Sequence, residues 1–162
     1  MDNHTIAQVF GRIARLMEAN GDLPFKVRAY RRVAEEFGRL AVPLSHLAAA
    51  NRLRTVPGVG VAVEKKVREL LDTGSLSFYR RLIAAVPERL LELMDLPGVG
   101  PKLAGRLWRE LGVTTKEELT AALDDGRVTG LPRINPATVD MLARALAEDE
   151  GRPRPAPSGV VP

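Results

Sequence analysis

With 162 residues the chain has room for one domain or two small ones, and with no cysteine it is excluded from disulfide, zinc-thiolate and thiol chemistry. Hydrophobic residues make up 45% but only seven are aromatic, a mixture rich in Ala, Leu, Val and Arg that suits short helices in close contact better than a β-rich fold. The formal net charge of +4 is uneven, with 14 Lys/Arg against 8 Asp/Glu over residues 1–86 and 10 against 12 thereafter, so a polyanionic partner is indicated for the first part without being identified.

In chain order, "HTIAQVFGRIARLMEAN" places Ile6, Val9, Phe10, Ile13, Leu16 and Met17 at helical spacing, with Thr5 as the expected cap and Asn20-Gly21 as the stop. In "LPFKVRAYRRVAEEFGRL", Pro24 suits a first helical turn, and Phe25, Ala29, Val33 and Phe37 recur at every fourth position. A short helix over "LSHLAAANRL" leads to "RTVPGVGVAVEKKV", and "LSFYRRLIAAV" and "PERLLELM" read as two more helices separated by Pro87. No segment alternates as a half-buried strand does, so the class is all-α. No apolar run approaches the ~18 residues of a membrane span and no basic-then-apolar leader opens the chain. The expectation is a cytoplasmic, nucleoid-associated protein with no membrane partner.

The most specific feature is a repeat. "TVPGVGVAVEKKVREL" begins at Thr55 and "DLPGVGPKLAGRLWREL" at Asp95, each an apolar residue, Pro-Gly-Val-Gly, and a helix ending in Arg-Glu-Leu. A weaker copy, "GLPRINPATVDMLARAL", begins at Gly130 with Arg133 and Asn135 where the glycines stood. Glycine permits positive φ and removes the Cβ that would block a ligand, while the helix that follows offers unpaired N–H groups and a partial positive charge. That chemistry assigns DNA-backbone contact to Gly58, Val59 and Gly60, to Gly98, Val99 and Gly100, and to Lys102 just beyond. The valine between the glycines is expected to pin each turn to the core. Binding of this kind has little sequence preference and strong salt dependence. The third copy is expected to keep the shape, lose part of the grip and act structurally.

Competing readings of the motif are weaker. Elastin needs tandem "VPGVG" copies and has no amphipathic helices, and a Walker loop needs a preceding strand and Gly-Lys-Ser/Thr. His4 and His46 stand alone, as surface or capping residues. Trp108 is expected in the core rather than as a base-stacking platform.

Taken together, "FKVRAYRRVAEEF", "LRTVPGVGVAVEKKVRELLDTGSL" and "LMDLPGVGPKLAGRLWRELGVTTKEELTAAL" resemble the N-terminal part of family X DNA polymerases, from about residue 3 to about residue 147. The resemblance implies a helical lyase-like domain with the first helix-hairpin-helix over residues 1–86, then a second and a degenerate third over 87–148. Residues 149–162, proline-rich and unpatterned, are expected to be a disordered tail. It also implies a role in DNA repair on gapped, nicked or abasic duplex. Lys26, Tyr30 and Arg54 match positions around a 5′-phosphate, and Lys66 matches the lysine that forms a Schiff base in 5′-deoxyribose-phosphate lyases. The carbonyls of Arg54, Val56 and Val59, and of Met94, Leu96 and Val99, match those holding a monovalent cation, K⁺ or Na⁺. No other cofactor is implied. Two basic positions of the family are replaced, by Ala62 and near Phe78, which makes the pocket less positive. Polymerase activity is not expected, because no strand carries the carboxylate cluster that two-metal chemistry needs. A polymerase or nuclease supplied in trans stays open.

Helical geometry separates the two lysines. With Val63, Val67, Leu70 and Leu71 as the buried stripe, Lys66 flanks it and Lys65 points to solvent, where it steers phosphate or is simply solvated. Lys26 and Tyr30, one turn apart, can share a face, although Tyr30 also reads as a half-buried packing residue. Three functions remain open: DNA-backbone binding, the leading one; a lyase acting through Lys66; and a protein-interaction scaffold in which the hairpins only join helices.

Overall fold

The computed structural model describes residues 1–152. Its described residues are all-α, with no strand among them. Among the described residues, 1–17 and 22–86 form one compact unit, and 18–21 with 87–152 form another.

In the first unit, α1 (Asn3–Ala19) buries Ile6, Val9, Phe10, Ile13, Leu16 and Met17, the face its spacing predicts. Its start differs from expectation. The Asp2 carboxylate, not Thr5, caps the helix by accepting the Thr5 N–H at 2.8 Å, and that bond holds the Asp2 carboxyl below the usual range. The α2 helix (Pro24–Arg39) does place proline in its first turn. Its buried face is Val27, Val33 and Phe37, whereas Phe25 and Ala29 are exposed. A strict four-residue repeat drifts by about 40° per step on a 100°-per-residue helix, which turns Phe25 about 120° away from Phe37.

Phe10 joins these helices, stacked on Tyr30 at 6.0 Å and edge-on to Phe37 at 5.3 Å. The Asn3 side chain accepts the Leu44 N–H at 2.7 Å and donates to the Val42 carbonyl at 2.9 Å, seating the start of α3 (Leu44–Ala49). A 3₁₀ turn at Leu53–Thr55 enters the first hairpin, and α4 (Val61–Thr73) leaves it. The α5 helix (Ser77–Ala85) has no cap of its own. Instead Glu69 of α4 accepts both the N–H and the hydroxyl of Ser77.

The second unit contains α6 (Leu90–Met94), α7 (Pro101–Leu111), α8 (Lys116–Asp124) and α9 (Pro136–Glu150). The α8 helix starts where Thr115 accepts the Glu118 N–H at 3.1 Å. Trp108 is half-buried rather than core. The α9 helix runs through Glu150, two residues into the expected tail, and Asp149 pairs with Lys116 at 2.8 Å. The rest of that tail expectation, residues 153–162, lies outside the described residues.

Candidate nucleic-acid interface

Each glycine hairpin is pinned from below and bare above. Val56 and Val59 in the first, and Leu96 and Val99 in the second, are buried, while Gly58, Gly60, Gly98 and Gly100 are exposed. Burying such side chains stabilises by about 1.5 kcal/mol or more each, enough to fix the turn. Gly58 and Gly98 sit at φ +86° and +83°, where a side chain is strained. The turns close through Val59 N–H to the Val56 carbonyl at 3.1 Å and Val99 N–H to the Leu96 carbonyl at 3.0 Å. Gly60 and Gly100 then cap α4 and α7 with extended backbone and no side-chain bond. The N–H groups of Val61, Ala62 and Val63, and of Lys102 and Leu103, therefore open these helices without an intrahelical acceptor.

The third copy has the same backbone. Arg133 takes the left-handed position at φ +63°, Ile134 N–H reaches the Leu131 carbonyl at 3.4 Å, and Asn135 caps α9 with extended backbone. The expected shape is kept, but the helix start is closed. Asn135 Oδ1 accepts the Thr138 N–H at 2.8 Å and the Thr138 hydroxyl at 3.0 Å. Arg106 also donates to the Pro132 carbonyl at 2.6 Å, tying this turn to α7.

Beside the first hairpin lies a pocket of about 400 Å³ lined by Val61, Ala62, Lys65, Lys66, Glu69, Phe78 and Arg81. Lys65 and Lys66 are both here, Lys65 exposed and Lys66 half-buried on the edge of the stripe formed by Val67 and Leu70. The Lys66 ammonium stands 4.8 Å from the centre of the Phe78 ring, and Phe78 stacks on Tyr30 at 5.7 Å. Burial, and then the Arg81 guanidinium, hold the Lys66 ammonium below the ordinary lysine range, while Glu69 acts in the opposite sense. Burial alone pushes the Tyr30 phenol up.

Lys26 and Arg54 do not line this pocket. Lys26 is exposed on α2, and Arg54 is bound by its Nε to Glu64 at 2.6 Å, with Arg68 on the other Glu64 oxygen at 3.2 Å. The bond from Arg54 is the main cause that holds the Glu64 carboxyl below its usual range. His4 and His46 are exposed, and His4 meets Gln8. Sequence reasoning missed Arg81 and Glu69, whose roles depend on how α4 meets α5. At the cation positions, the Val56 and Leu96 oxygens each accept one turn amide and keep a second lone pair, so neutral carbonyl donors remain for a monovalent ion. Among the described residues no group of three or more His, Cys, Asp or Glu could hold a metal, and no helix is long and apolar enough to cross a membrane.

Comparison with known proteins agrees with this geometry. Residues 1–76 match the helix-hairpin-helix domain family, and residues 90–148 match the SAM-like helix-hairpin-helix tandem. The chain is a tandem helix-hairpin-helix protein. Such domains are generally associated with sequence-nonspecific binding of DNA backbone. The chain is 32% identical to the DNA polymerase/3′-5′ exonuclease PolX of Bacillus subtilis (strain 168), over 98% of its own length and 27% of the relative's. It is 28% identical to DNA polymerase lambda of Arabidopsis thaliana, over 72% of its own length and 21% of the relative's. It therefore spans about a quarter or less of these curated relatives, and it matches the N-terminal, helix-hairpin-helix region of the PolX family.

Proposed function

We propose that this chain binds duplex DNA without sequence preference, gripping phosphates through its two glycine hairpins, and that it serves repair of gapped or nicked DNA. The observation that carries the reading is at Gly60 and Gly100. Both have ordinary negative φ, −102° and −88°, and a Cβ on either would meet nothing within 4 Å. The fold itself does not require glycine there, whereas a phosphate drawn against the backbone does. The bare N–H groups that follow supply donors and partial positive charge, and Lys65 and Lys102 add full charges. A K⁺ or Na⁺ held by the carbonyls of Arg54, Val56 and Val59, or of Met94, Leu96 and Val99, would add local positive charge facing the phosphate. Equilibrium binding to a gapped duplex across a salt series tests this. The logarithm of the association constant should fall linearly with log salt, at roughly −0.9 per phosphate neutralised. Affinity indifferent to salt would overturn the reading and favour a protein-interaction scaffold.

A second reading is favoured by the environment of Lys66, a partly buried amine beside another cation and held below the ordinary lysine range. As a lyase, its neutral amine would add to C1′ of an open-chain deoxyribose and lose water to form the imine. A C2′ proton would pass to solvent base and the phosphate at C3′ would leave; water would then hydrolyse the imine and return the amine. Borohydride trapping on abasic DNA decides it. An adduct lost in Lys66→Ala and kept in Lys65→Ala supports the lyase, and no adduct from the unaltered chain removes it.

A further inference from the structure

A chain of bonds braces Arg54 at the mouth of the first hairpin. Arg54 belongs to the 3₁₀ turn that enters the hairpin, and Glu64 lies in the first turn of α4, which leaves it. The Glu64 N–H reaches the Gly60 carbonyl at 2.9 Å, so Glu64 comes directly after the bare amides of residues 61–63. Its Oε2 accepts Arg54 Nε at 2.6 Å, and its Oε1 accepts Arg68 Nη2 at 3.2 Å. Arg68 is in turn fixed to the end of α3 and the turn after it, donating to the Ala48 carbonyl at 3.2 Å and to Asn51 Oδ1 at 3.0 Å. The brace therefore runs from α3 through Arg68 and Glu64 to Arg54. Among the described residues Arg54 Nη1 and Nη2 have no partner, and the Arg54 side chain is 60% exposed against 16% for Glu64.

An ion pair with one exposed partner adds little to stability. A carboxylate beside a phosphate site also opposes the ligand by charge alone. What the bond supplies is geometry. Held by Nε, a guanidinium loses most of its freedom to swing on its long stem, while its Nη1–Nη2 edge keeps the two parallel donors that match a phosphate. With Arg68 on its other oxygen, Glu64 is outnumbered by two positive charges to one, and the cluster stays cationic. The second hairpin has no such brace. Forty residues on, Met94, Ala104 and Trp108 stand where Arg54, Glu64 and Arg68 stand in the first.

We propose that Glu64 is a positioning residue which, with Arg68 behind it, holds Arg54 ready to take a backbone phosphate at the first hairpin. The proposal rests on the DNA-binding reading above and adds to it an acidic residue that helps an anion to bind. The test is a double-mutant cycle on the full chain, with affinity for a gapped duplex read by fluorescence anisotropy. Arg54→Ala should weaken binding about tenfold and make the salt dependence shallower by roughly 0.9, one phosphate contact. Glu64→Ala should weaken binding about fivefold, the cost of ordering one long side chain on binding, although it removes a negative charge. In the Arg54→Ala background the same change should cost nothing. Glu64→Gln, which loses the charge but keeps one acceptor oxygen for Nε, should retain part of the affinity. It also carries the cycle if Glu64→Ala loses its helical circular dichroism. Tighter binding by Glu64→Ala overturns the assignment, because charge then outweighs geometry. Equal weakening in both backgrounds overturns it too, since Glu64 would then serve only the fold, and so does an Arg54→Ala variant that binds as the unaltered chain does. An unaltered chain that binds no duplex overturns the DNA-binding reading as well.

Discussion

The turn at residues 56–60 and the turn at residues 131–135 follow one backbone path to opposite ends. In the first, the left-handed position is a glycine and the helix beyond starts bare; in the other, Arg133 holds that position and Asn135 fills the helix start with its own side chain. The apolar pins differ too. Val56 and Val59 are buried, while Leu131 and Ile134 are only half-buried. The comparison teaches that hairpin shape and phosphate grip are separable properties. Shape needs a residue able to stand at positive φ and an apolar residue on either side of it, whereas grip needs an unoccupied helix start and no side chain over it.

The largest effect should come from breaking the shape. Valine at Gly58 or Gly98 forces a β-branched residue to φ above +80°, and at Gly98 its Cβ would also meet the Met141 sulfur at 2.6 Å. Thermal or denaturant unfolding should show a loss of about 1–3 kcal/mol, with DNA affinity falling more than tenfold. Retained affinity would mean that the turns are not the grip.

Transplanting the third hairpin's cap sharpens the comparison. Gly60→Asn and Gly100→Asn should hold stability or raise it by a few tenths of a kcal/mol, because asparagine caps better than glycine. The same variants should bind DNA about tenfold more weakly in anisotropy titrations, as the helix start becomes occupied. Conversely, Asn135→Ala should cost about 1 kcal/mol of stability in denaturant unfolding and leave DNA affinity where it was. A drop in affinity there would make the third hairpin a contact after all.

The smallest effect concerns pH. Lys66 is depressed in the folded chain, so over the interval between its folded and ordinary values the unfolded chain binds more protons. Stability should therefore rise slightly as pH increases through that interval, and Lys66→Met should flatten the rise in unfolding curves.

The helical class, the repeat and the buried valines are legible in local spacing, because each depends on residues within one or two turns. The α2 face is misread when a four-residue count replaces the true helical period, which is why Phe25 is expected inside and lies outside. Asn135 is legible but ambiguous. Seen as a missing glycine it suggests erosion, yet Asn-Pro at a helix start is itself a capping signal. The pocket is only half readable. Lys66 follows from its place beside Val67 and Leu70, whereas Arg81 and the Glu69–Ser77 anchor depend on the meeting of two helices, which no single stretch of sequence encodes.

The most direct measurement is an ¹⁵N amide titration with a short gapped duplex. Amide signals over residues 58–63 and 98–103, apart from Pro101, should move together with added DNA while those over 133–138, apart from Pro136, stay in place. Equal movement at the third hairpin, or none at the first two, would contradict backbone gripping by the glycine hairpins.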